Sequence, residues 1–327
     1  MLSEPSPPAL SLVMLGNGPF ALPTFDALYG TPHRVRALLV RPPHGRRPMP
    51  PSPLRAVAER HGTPVYDPGD VNADDARALL ATFAADLLVV CDYGQILKPA
   101  TLATARRGGI NLHASLLPRY RGAAPINWAL YHGESETGVT VIHMDPRIDA
   151  GPCLAQERVA ILPDETAVEL EARLARLGAP LVCRTIEALA AGTAAPLPQE
   201  AGQATRAPRL KKSDGEIDWN RSAAAIARQV RAMQPWPRCS TAWLRPGEPL
   251  RLIVDRVQAE LDWAADSPPP PPGVVRFASG SDLRIQTGDG ALAILQLQPA
   301  GKRSMTSEEF LRGYPLRNGE RLGPIET

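Results

Sequence analysis

The stretch ALSLVML, residues 9–15, is a continuous apolar run that ends at the turn-forming residues Gly16, Asn17 and Gly18. A helical pattern follows at 21–28, and a second apolar run occupies 35–40. Continuous apolar runs of this length are typical of strands that are covered on both faces. Strand, helix and strand in succession therefore predict a βαβ unit and a parallel sheet.

The same alternation continues to residue 191 and then changes. Further strands are predicted at 87–90, 110–112 and 138–144, and helices at 54–61, 72–83, 125–131 and 166–191. Beyond a stretch rich in Ala, Pro, Gly and Gln, a helix at 222–233 precedes short strand-like runs at 241–244, 250–254, 273–277, 283–287 and 291–296. Several short strands with turn signals predict a small β-barrel. We expect an α/β domain over 1–195, a linker over 196–208 and a β domain over 209–327.

The composition excludes several classes of protein. Of 327 residues, 44% are hydrophobic and 21% are charged, as in globular proteins. The 36 basic and 34 acidic residues nearly cancel, which excludes a histone-like polycation. No apolar run approaches the length of a membrane span, and the N-terminal residues lack the basic region and cleavage site of a signal peptide. We expect a cytoplasmic protein without a membrane partner.

Cysteine spacing and the distribution of charge add two expectations. The cysteines lie far apart and form no C-x-x-C pair, so neither a metal site nor a disulfide framework is predicted.

Residues 1–202 carry 18 basic and 20 acidic side chains, whereas residues 203–327 carry 18 and 14, a net charge of +4. A basic second half suits a polyanionic partner, and a solvated surface explains it equally well.

The most informative stretch is NLHASLLPRYRGAAP, residues 111–125. Side chains two residues apart on a strand point the same way, so Asn111 and His113 are predicted to share one site. That site would lie at the carboxyl edge of the sheet, where ligands of open α/β folds bind. Asp149 follows a strand and precedes Gly151, which predicts a loop that can return to His113.

These three side chains suit the transfer of an acyl or formyl group to an amine. An Asn amide can donate to a developing oxyanion, a His can accept and return a proton, and a carboxylate can hold and stabilise the charged imidazole. Each residue also has a structural explanation, as a core His or as turn formers. His143 is a rival for which we favour a structural role. Ala21 replaces the last Gly of a dinucleotide fingerprint and no acidic residue ends the next strand, so NAD binding is not predicted.

The run at 111–126, with IDAG at 148–151, resembles the methionyl-tRNA formyltransferase family. The resemblance covers nearly the whole chain, including MPPSP at 49–53, ADLLVVCDYGQIL at 85–97, RLKKSDGEIDW at 209–219, QPWP at 234–237 and LQPAGK at 297–302. It implies a Rossmann-like formyltransferase domain and an OB-like barrel. It also implies an enzyme of translation initiation that moves the formyl group of 10-formyltetrahydrofolate onto the free amino group of initiator methionyl-tRNA.

The resemblance assigns roles to particular residues. Asn111, His113 and Asp149 would form the catalytic set. The loop that holds tetrahydrofolate would comprise Ser115, Leu116, Leu117 and Pro118, and the pterin would bind backbone groups near Cys91, Tyr93, Gly94 and Ile96. Candidates for contacts with tRNA phosphates are Arg41, Arg46, Arg47, Lys211, Lys212, Lys302 and Arg303. No metal is implied, and we expect a monomer.

The sequence departs from the family pattern in three places. Residues 41–50 are shorter and poorer in lysine than the family's equivalent loop, which leaves their role in tRNA binding open. Asp92 follows Cys91 where the family has a small residue before Tyr-Gly, so its side chain either faces solvent or disturbs the pterin pocket. Ala150 replaces a common Thr.

Three other functions are compatible with parts of the pattern. Formyltransferases that act on amino-sugar nucleotides, and formyltetrahydrofolate hydrolases, resemble the same N-terminal triad. The basic second half and the MPPSP segment favour tRNA over these. An RNA-binding protein with an inactive formyltransferase domain is the third alternative, and the intact Asn111, His113 and Asp149 argue against it.

Overall fold

The structure is a computed structural model that describes residues 8–42, 51–260 and 269–324. The chain forms two compact units. The first comprises residues up to 125, 136–160 and 169–208, and the second comprises 126–135, 161–168 and the residues from 209 onward. Residues 196–208, which the sequence suggests as a linker, lie within the first unit.

Every strand and helix predicted up to residue 191 is present, and the structure adds four strands and one α-helix among the described residues up to 208. The strands are β1 Ser11–Gly16, β2 Arg34–Leu39, β3 Val65–Tyr66, β4 Leu87–Cys91, β5 Gly109–His113, β6 Arg121–Gly122, β7 Glu136–His143, β8 Cys153–Ala160 and β9 Arg206–Ala207. The helices are α1 Leu22–Leu28, α2 Leu54–Arg60, α3 Asp74–Thr82, α4 Pro99–Leu102, α5 Pro125–His132 and α6 Ala167–Ala191. No helix among the described residues is both long and apolar enough to span a membrane.

One seven-stranded sheet organises the first unit. Its strand order is β3-β2-β1-β4-β5-β7-β8. The pairs from β3 to β5 are parallel, whereas β7 and β8 join antiparallel. The mostly parallel α/β sheet predicted from the sequence is confirmed, and β5 is the strand at which it changes direction.

The core of the first unit lies against the central strands. β4 is buried along its whole length, as expected for a parallel strand covered on both faces. Val13 and Leu15 of β1 form one buried cluster with Val90 of β4 and Leu80 of α3. On α6, Gly178 allows a close approach to β5, because a Cβ there would lie 2.5 Å from Cδ2 of Leu112. These contacts fix β5, the strand that carries Asn111 and His113.

The second unit contains a curved antiparallel sheet. Its strands are β10 Cys239–Trp243, β11 Leu250–Glu260, β12 Val275–Ser279, β13 Asp282–Gln286, β14 Ala291–Pro299, β15 Met305–Thr306 and β16 Leu322–Gly323, and its later helices are α7 Ala223–Ala232 and α8 Ser307–Gly313. The sheet order is β12-β13-β14-β11-β10-β16, with β15 beside β14. A bridge between Val274 and Arg321 joins the two outer strands. The predicted OB-like barrel is confirmed.

The sequence prediction missed β8 and α8 and ended β11 too early, each for an identifiable reason. β8 reads CLAQERVA and has an alternating, half-exposed pattern, so it lacks the apolar run that marks the buried strands. α8 has few apolar residues and depends on a capping box between Thr306 and Glu309. β11 continues to Glu260 rather than ending near Val254, because it pairs with the long strand β14.

We predict that Gly138→Ala destabilises the first unit. A Cβ at Gly138 would lie 2.1 Å from the carbonyl oxygen of Glu157 and 2.5 Å from Cδ2 of Leu116. The backbone of β8 cannot yield without cost, and we expect a loss of about 1–3 kcal/mol in the free energy of unfolding. Chemical denaturation measures it, with Gly202→Ala in open space as the control. Equal stability of the two variants would contradict this packing.

Candidate active site

Asn111 and His113 lie near the carboxyl end of β5. Asn111 is paired with Val90 of β4 and Ile142 of β7, and His113 with Thr140 of β7. Asn111 is half-buried, and its side-chain amide makes no hydrogen bond to any residue that the structure describes. The amide is therefore available as a donor at the edge where ligands of α/β sheets bind.

The imidazole of His113 is positioned by two contacts. Nε2 lies 2.9 Å from the carbonyl oxygen of Tyr120, and because a carbonyl only accepts, a hydrogen bond there requires the proton on Nε2. Nδ1 then faces Oδ2 of Asp149 at 3.6 Å, beyond hydrogen-bond length but within reach of charge attraction. The His113 side chain is only 6% exposed and that of Asp149 only 14%. An imidazolium formed here would be stabilised by a carboxylate with little screening by water.

Asp149 adopts a left-handed backbone conformation, with φ of 49°. Its Oδ2 accepts a hydrogen bond of 2.9 Å from the N–H of Gly122. Its carbonyl oxygen accepts one of 2.8 Å from Nε2 of Gln199. The loop after β7 thus returns to His113 as the sequence analysis expects, and the catalytic role of these residues remains a prediction.

The loop at 114–120 is held mainly by residues of β7 and β8. Ser115 Oγ donates to the carbonyl of Arg119 at 2.6 Å, so this hydroxyl is engaged within the loop. Thr140 Oγ1 accepts from the N–H of Leu117 and donates to the carbonyl of Ser115. Nε2 of Gln156 donates to the carbonyl of Leu117 at 3.0 Å. Sequence reasoning missed Thr140 and Gln156, because each reads as an ordinary strand residue.

The predicted folate residues divide into buried and accessible ones. The thiol of Cys91 is buried beside the carbonyl of Phe20, and burial raises the pKa of this thiol well above its usual value. Tyr93 is 2% exposed and packs in the core, whereas Ile96 is 60% exposed. Leu116 and Pro118 are partly exposed, and Leu117 is buried. The 91–97 loop therefore presents its backbone and Ile96, rather than the side chains of Cys91 and Tyr93.

Two amide side chains, those of Asn72 and Gln95, fix the 91–97 loop. Asn72 Nδ2 donates to the carbonyl of Ile96 at 2.9 Å, and Asn72 Oδ1 accepts from the N–H of Lys98 at 2.7 Å. Gln95 Oε1 accepts from the N–H of Val71 at 2.9 Å. The predicted helix at 72–83 instead begins at Asp74, because Asn72 serves the neighbouring loop.

The residues predicted to contact tRNA are spread along the chain. Arg41 is half-buried, and its N–H donates to Oδ1 of Asn17 at 3.1 Å. Arg46 and Arg47 lie outside the described residues. The four candidates in the second unit are all exposed, namely Lys211, Lys212, Lys302 and Arg303. Arg303 also forms an ion pair of 2.7 Å with Glu309, so its charge is partly neutralised.

The cysteines give no sign of a reactive or metal-binding site. All four are free, and Cys91 and Cys239 are buried. Burial raises the pKa of Cys239 to about 12, so its thiolate is scarce at neutral pH. Within the described residues, no group of three His, Cys, Asp or Glu side chains could hold a metal ion.

Comparison with known proteins assigns the chain to a family. The profile described as "Formyl transferase" matches residues 40–186, and that described as "Formyl transferase, C-terminal domain" matches 209–315. A protein of Rhodopirellula baltica named methionyl-tRNA formyltransferase is 43% identical, covering 96% of this chain and 97% of the relative. One of Methylococcus capsulatus with the same name is 40% identical, covering 96% and 100%. The chain belongs to the methionyl-tRNA formyltransferase family.

Solved structures share the fold at much lower identity. The sugar 3N-formyl transferase WlaRD, solved with dTDP and 5-N-formyl-THF, matches with a TM-score of 0.65 and 16% identity. That match covers 90% of this chain and 99% of the other. HypX from Aquifex aeolicus in complex with tetrahydrofolic acid matches with a TM-score of 0.63 and 16% identity, covering 92% and 46%. These likenesses show the fold of the family alone.

Asp92, one of the three departures from the family pattern, adopts a left-handed conformation with φ of 47°. The residue is exposed, but its carboxylate packs against Gly18, where a Cβ would lie 1.9 Å from Oδ2. Withdrawal of the carboxylate from water raises the pKa of Asp92 to about 6. A hydrogen bond from the N–H of Gly18 and the positive charge of Arg41 lower the pKa and only partly offset this rise. The carboxylate thus lies against the turn that follows β1.

We predict that Asp92→Asn stabilises the protein most at neutral and higher pH. The folded-state pKa lies above the unfolded value of about 3.9, so the stabilising contribution is present at low pH and is lost as the pH rises through about 6. Asn tolerates the left-handed backbone and cannot ionise. The Tm difference between variant and wild type should therefore grow from pH 4 to pH 7.5. A difference that stays constant over this range would contradict the assignment.

Proposed function

We propose that this protein transfers the formyl group of 10-formyltetrahydrofolate to the free amino group of initiator methionyl-tRNA, giving N-formylmethionyl-tRNA. The observation that carries the chemistry is the contact between His113 and Asp149, with Asn111 two residues earlier on the same strand. Membership of the family supplies the acceptor, since the relatives that match nearly the full chain carry this name.

Asn111 stabilises the developing negative charge. The bound folate supplies an activated formyl group, and the attacking amine adds to its carbon without help from an enzyme nucleophile. The side-chain N–H of Asn111 donates to the formyl oxygen as that oxygen becomes negative, which is where a fixed donor lowers a barrier most. The free amide of Asn111 fits this role.

His113 moves the proton. The Nε2–H bond to Tyr120 leaves Nδ1 free to take a proton from the attacking ammonium-like nitrogen, and Asp149 stabilises the imidazolium that results. His113 then returns the proton to N10 of the leaving tetrahydrofolate as the bond from the formyl carbon to N10 breaks. One bond to the amine forms and one to N10 breaks, so no covalent enzyme intermediate is required.

The folate donor fits the 91–97 and 115–118 loops. Both are fixed by hydrogen bonds from neighbouring elements, and the first presents backbone N–H and carbonyl groups beside the exposed Ile96. Such a combination of rigid backbone groups and apolar surface suits a flat, polar-edged ring system. We propose that the pterin pairs with the backbone of the 91–97 loop.

The tRNA acceptor is a polyanion, and residues 203–327 carry a net charge of +4 in sequence. We propose that the exposed Lys211, Lys212 and Lys302 in this stretch contact phosphates and that Arg303 contributes less, because Glu309 pairs with it. We further propose that the protein acts as a monomer in the cytoplasm, where translation begins.

The decisive experiment supplies the purified protein with 10-formyltetrahydrofolate and one acceptor at a time. We expect formylation of methionyl-initiator tRNA, detected by mass spectrometry of the released aminoacyl group. An amino-sugar nucleotide and water serve as competing acceptors. Faster formylation of the sugar, or release of formate without any acceptor, would instead support the alternative transferase or hydrolase.

We predict that His113→Ala lowers kcat by roughly 10²–10⁴-fold, the range for loss of a general base. The matched control is His143→Asn, because His143 pairs with Ile110 on the same two strands and burial lowers its pKa. Steady-state formylation kinetics should show a near-normal rate for the control. If His143→Asn lost the activity and His113→Ala retained it, the two roles would be reversed.

We predict that replacing Lys211, Lys212 and Lys302 by Gln weakens tRNA binding and flattens its salt dependence. Each lost phosphate contact should reduce the slope of log affinity against log salt by about 1, whereas folate affinity should not change. The control replaces three exposed arginines of the first unit by Gln, namely Arg34, Arg36 and Arg176. An equal change of slope in both variants would show that only the total charge matters and would contradict specific phosphate contacts by the three lysines.

A further inference from the structure

The segment at 197–207 is hydrogen-bonded to two loops of the proposed site, namely the loop after β5 and the loop after β7 that carries Asp149. At its start, Leu197 forms an antiparallel bridge with Cys153, with both N–H to carbonyl distances at 2.8 Å. At its end, β9 pairs in parallel with β6, the short strand that includes Gly122. The segment therefore runs from the loop that carries Asp149 to the loop that follows His113.

Gln199 uses its whole carboxamide to join these two loops. Nε2 donates to the carbonyl oxygens of Asp149 and Gly151, at 2.8 and 2.7 Å. Oε1 accepts from Nε and Nη2 of Arg121, at 3.1 and 2.7 Å. Both amide hydrogens and both lone pairs of the oxygen are thus engaged.

The same segment fixes the residue that orients His113. Thr205 Oγ1 accepts from the N–H of Tyr120 at 2.8 Å, and the Thr205 carbonyl accepts from the N–H of Arg121 at 2.9 Å. The carbonyl of Tyr120 is the partner of Nε2 of His113. Both partners of the imidazole, Tyr120 and Asp149, are therefore bonded to the 197–207 segment.

The same segment also holds the backbone of Asp149. Asp tolerates a left-handed conformation better than most residues with a Cβ, and the surrounding contacts select this conformation over the alternatives. The bonds from Gln199 to the carbonyls on either side of Ala150 impose it on the backbone, and the bond from Gly122 aims the carboxylate. Without Gln199 the backbone would be free to relax and carry the carboxylate away from His113.

We propose that Gln199 is a positioning residue for the transfer reaction, holding Asp149 at its working distance from His113. This inference rests on the proposed function, and it names a residue outside the catalytic set. A primary amide is required, because only that group donates twice to the Asp149 loop while it accepts twice from Arg121.

Two variants separate the two halves of the amide's role. Gln199→Met keeps the length of the side chain and removes every hydrogen bond, whereas Gln199→Glu keeps the acceptor for Arg121 and removes both donors. We expect both to lower kcat by about 10- to 100-fold, the scale for a misplaced catalytic group, with KM for tRNA nearly unchanged. The control is Gln203→Met, an exposed residue whose amide donates to Glu200. Near-normal kcat for Gln199→Glu would show that only the Arg121 contact matters and would overturn the proposal.

A double-mutant cycle distinguishes positioning from general damage. If Gln199 acts through Asp149, then Gln199→Met should cost little in an Asp149→Asn background, so the two losses should not add. Fully additive losses would overturn the proposal. If neither Gln199 variant folds, Gln199→Asn, which keeps the amide but shortens the side chain, replaces it in the same cycle, with the same expected non-additivity and the same contradicting result. Wild-type protein that transfers no formyl group would contradict the proposed function itself, whereas active wild type with active Gln199 variants contradicts this inference alone.

Discussion

The carboxylate of Asp149 is the group on which the proposed site depends. It faces Nδ1 of His113 at 3.6 Å and accepts a 2.9 Å hydrogen bond from the N–H of Gly122. A nearly buried charge is tolerable only with such partners. Gly122 can offer its N–H because it has no side chain: its φ is 126°, and a Cβ would lie 2.4 Å from the carbonyl oxygen of Ala207. The glycine in the RGAAP motif is therefore a requirement of the β6–β9 contact.

The scaffold places this carboxylate by a change of strand direction. β5 runs parallel to β4 but antiparallel to β7, so His113 at the carboxyl end of β5 pairs with Thr140, whereas the end of β7 at His143 lies beside Ile110. The loop after β7 must consequently travel back to reach His113, and its hydrogen bonds to Gln199 and Gly122 fix it there. The proposed site thus needs more than the parallel half of the sheet.

Sequence reasoning reached the fold and the side chains of the proposed site but not their support. The apolar runs of β1 and β4 mark buried parallel strands, and the spacing of Asn111 and His113 places them on one face, because both features are local. Thr140, Gln156 and Gln199 escaped notice, since each acts through hydrogen bonds to backbone distant in sequence. Residues 196–208 look like a linker for the same reason: their small and polar composition carries no apolar period, although they pair with β6 and β8.

The most direct test of the account is a crystal structure with a stable analogue of 10-formyltetrahydrofolate. We expect the formyl oxygen of the analogue within hydrogen-bond distance, about 3 Å, of the side-chain nitrogen of Asn111. The formyl carbon should be open to an incoming amine on the side of His113, and the pterin should pair with the backbone of residues 91–97. An analogue bound elsewhere, with its formyl group remote from Asn111 and His113, would contradict the account.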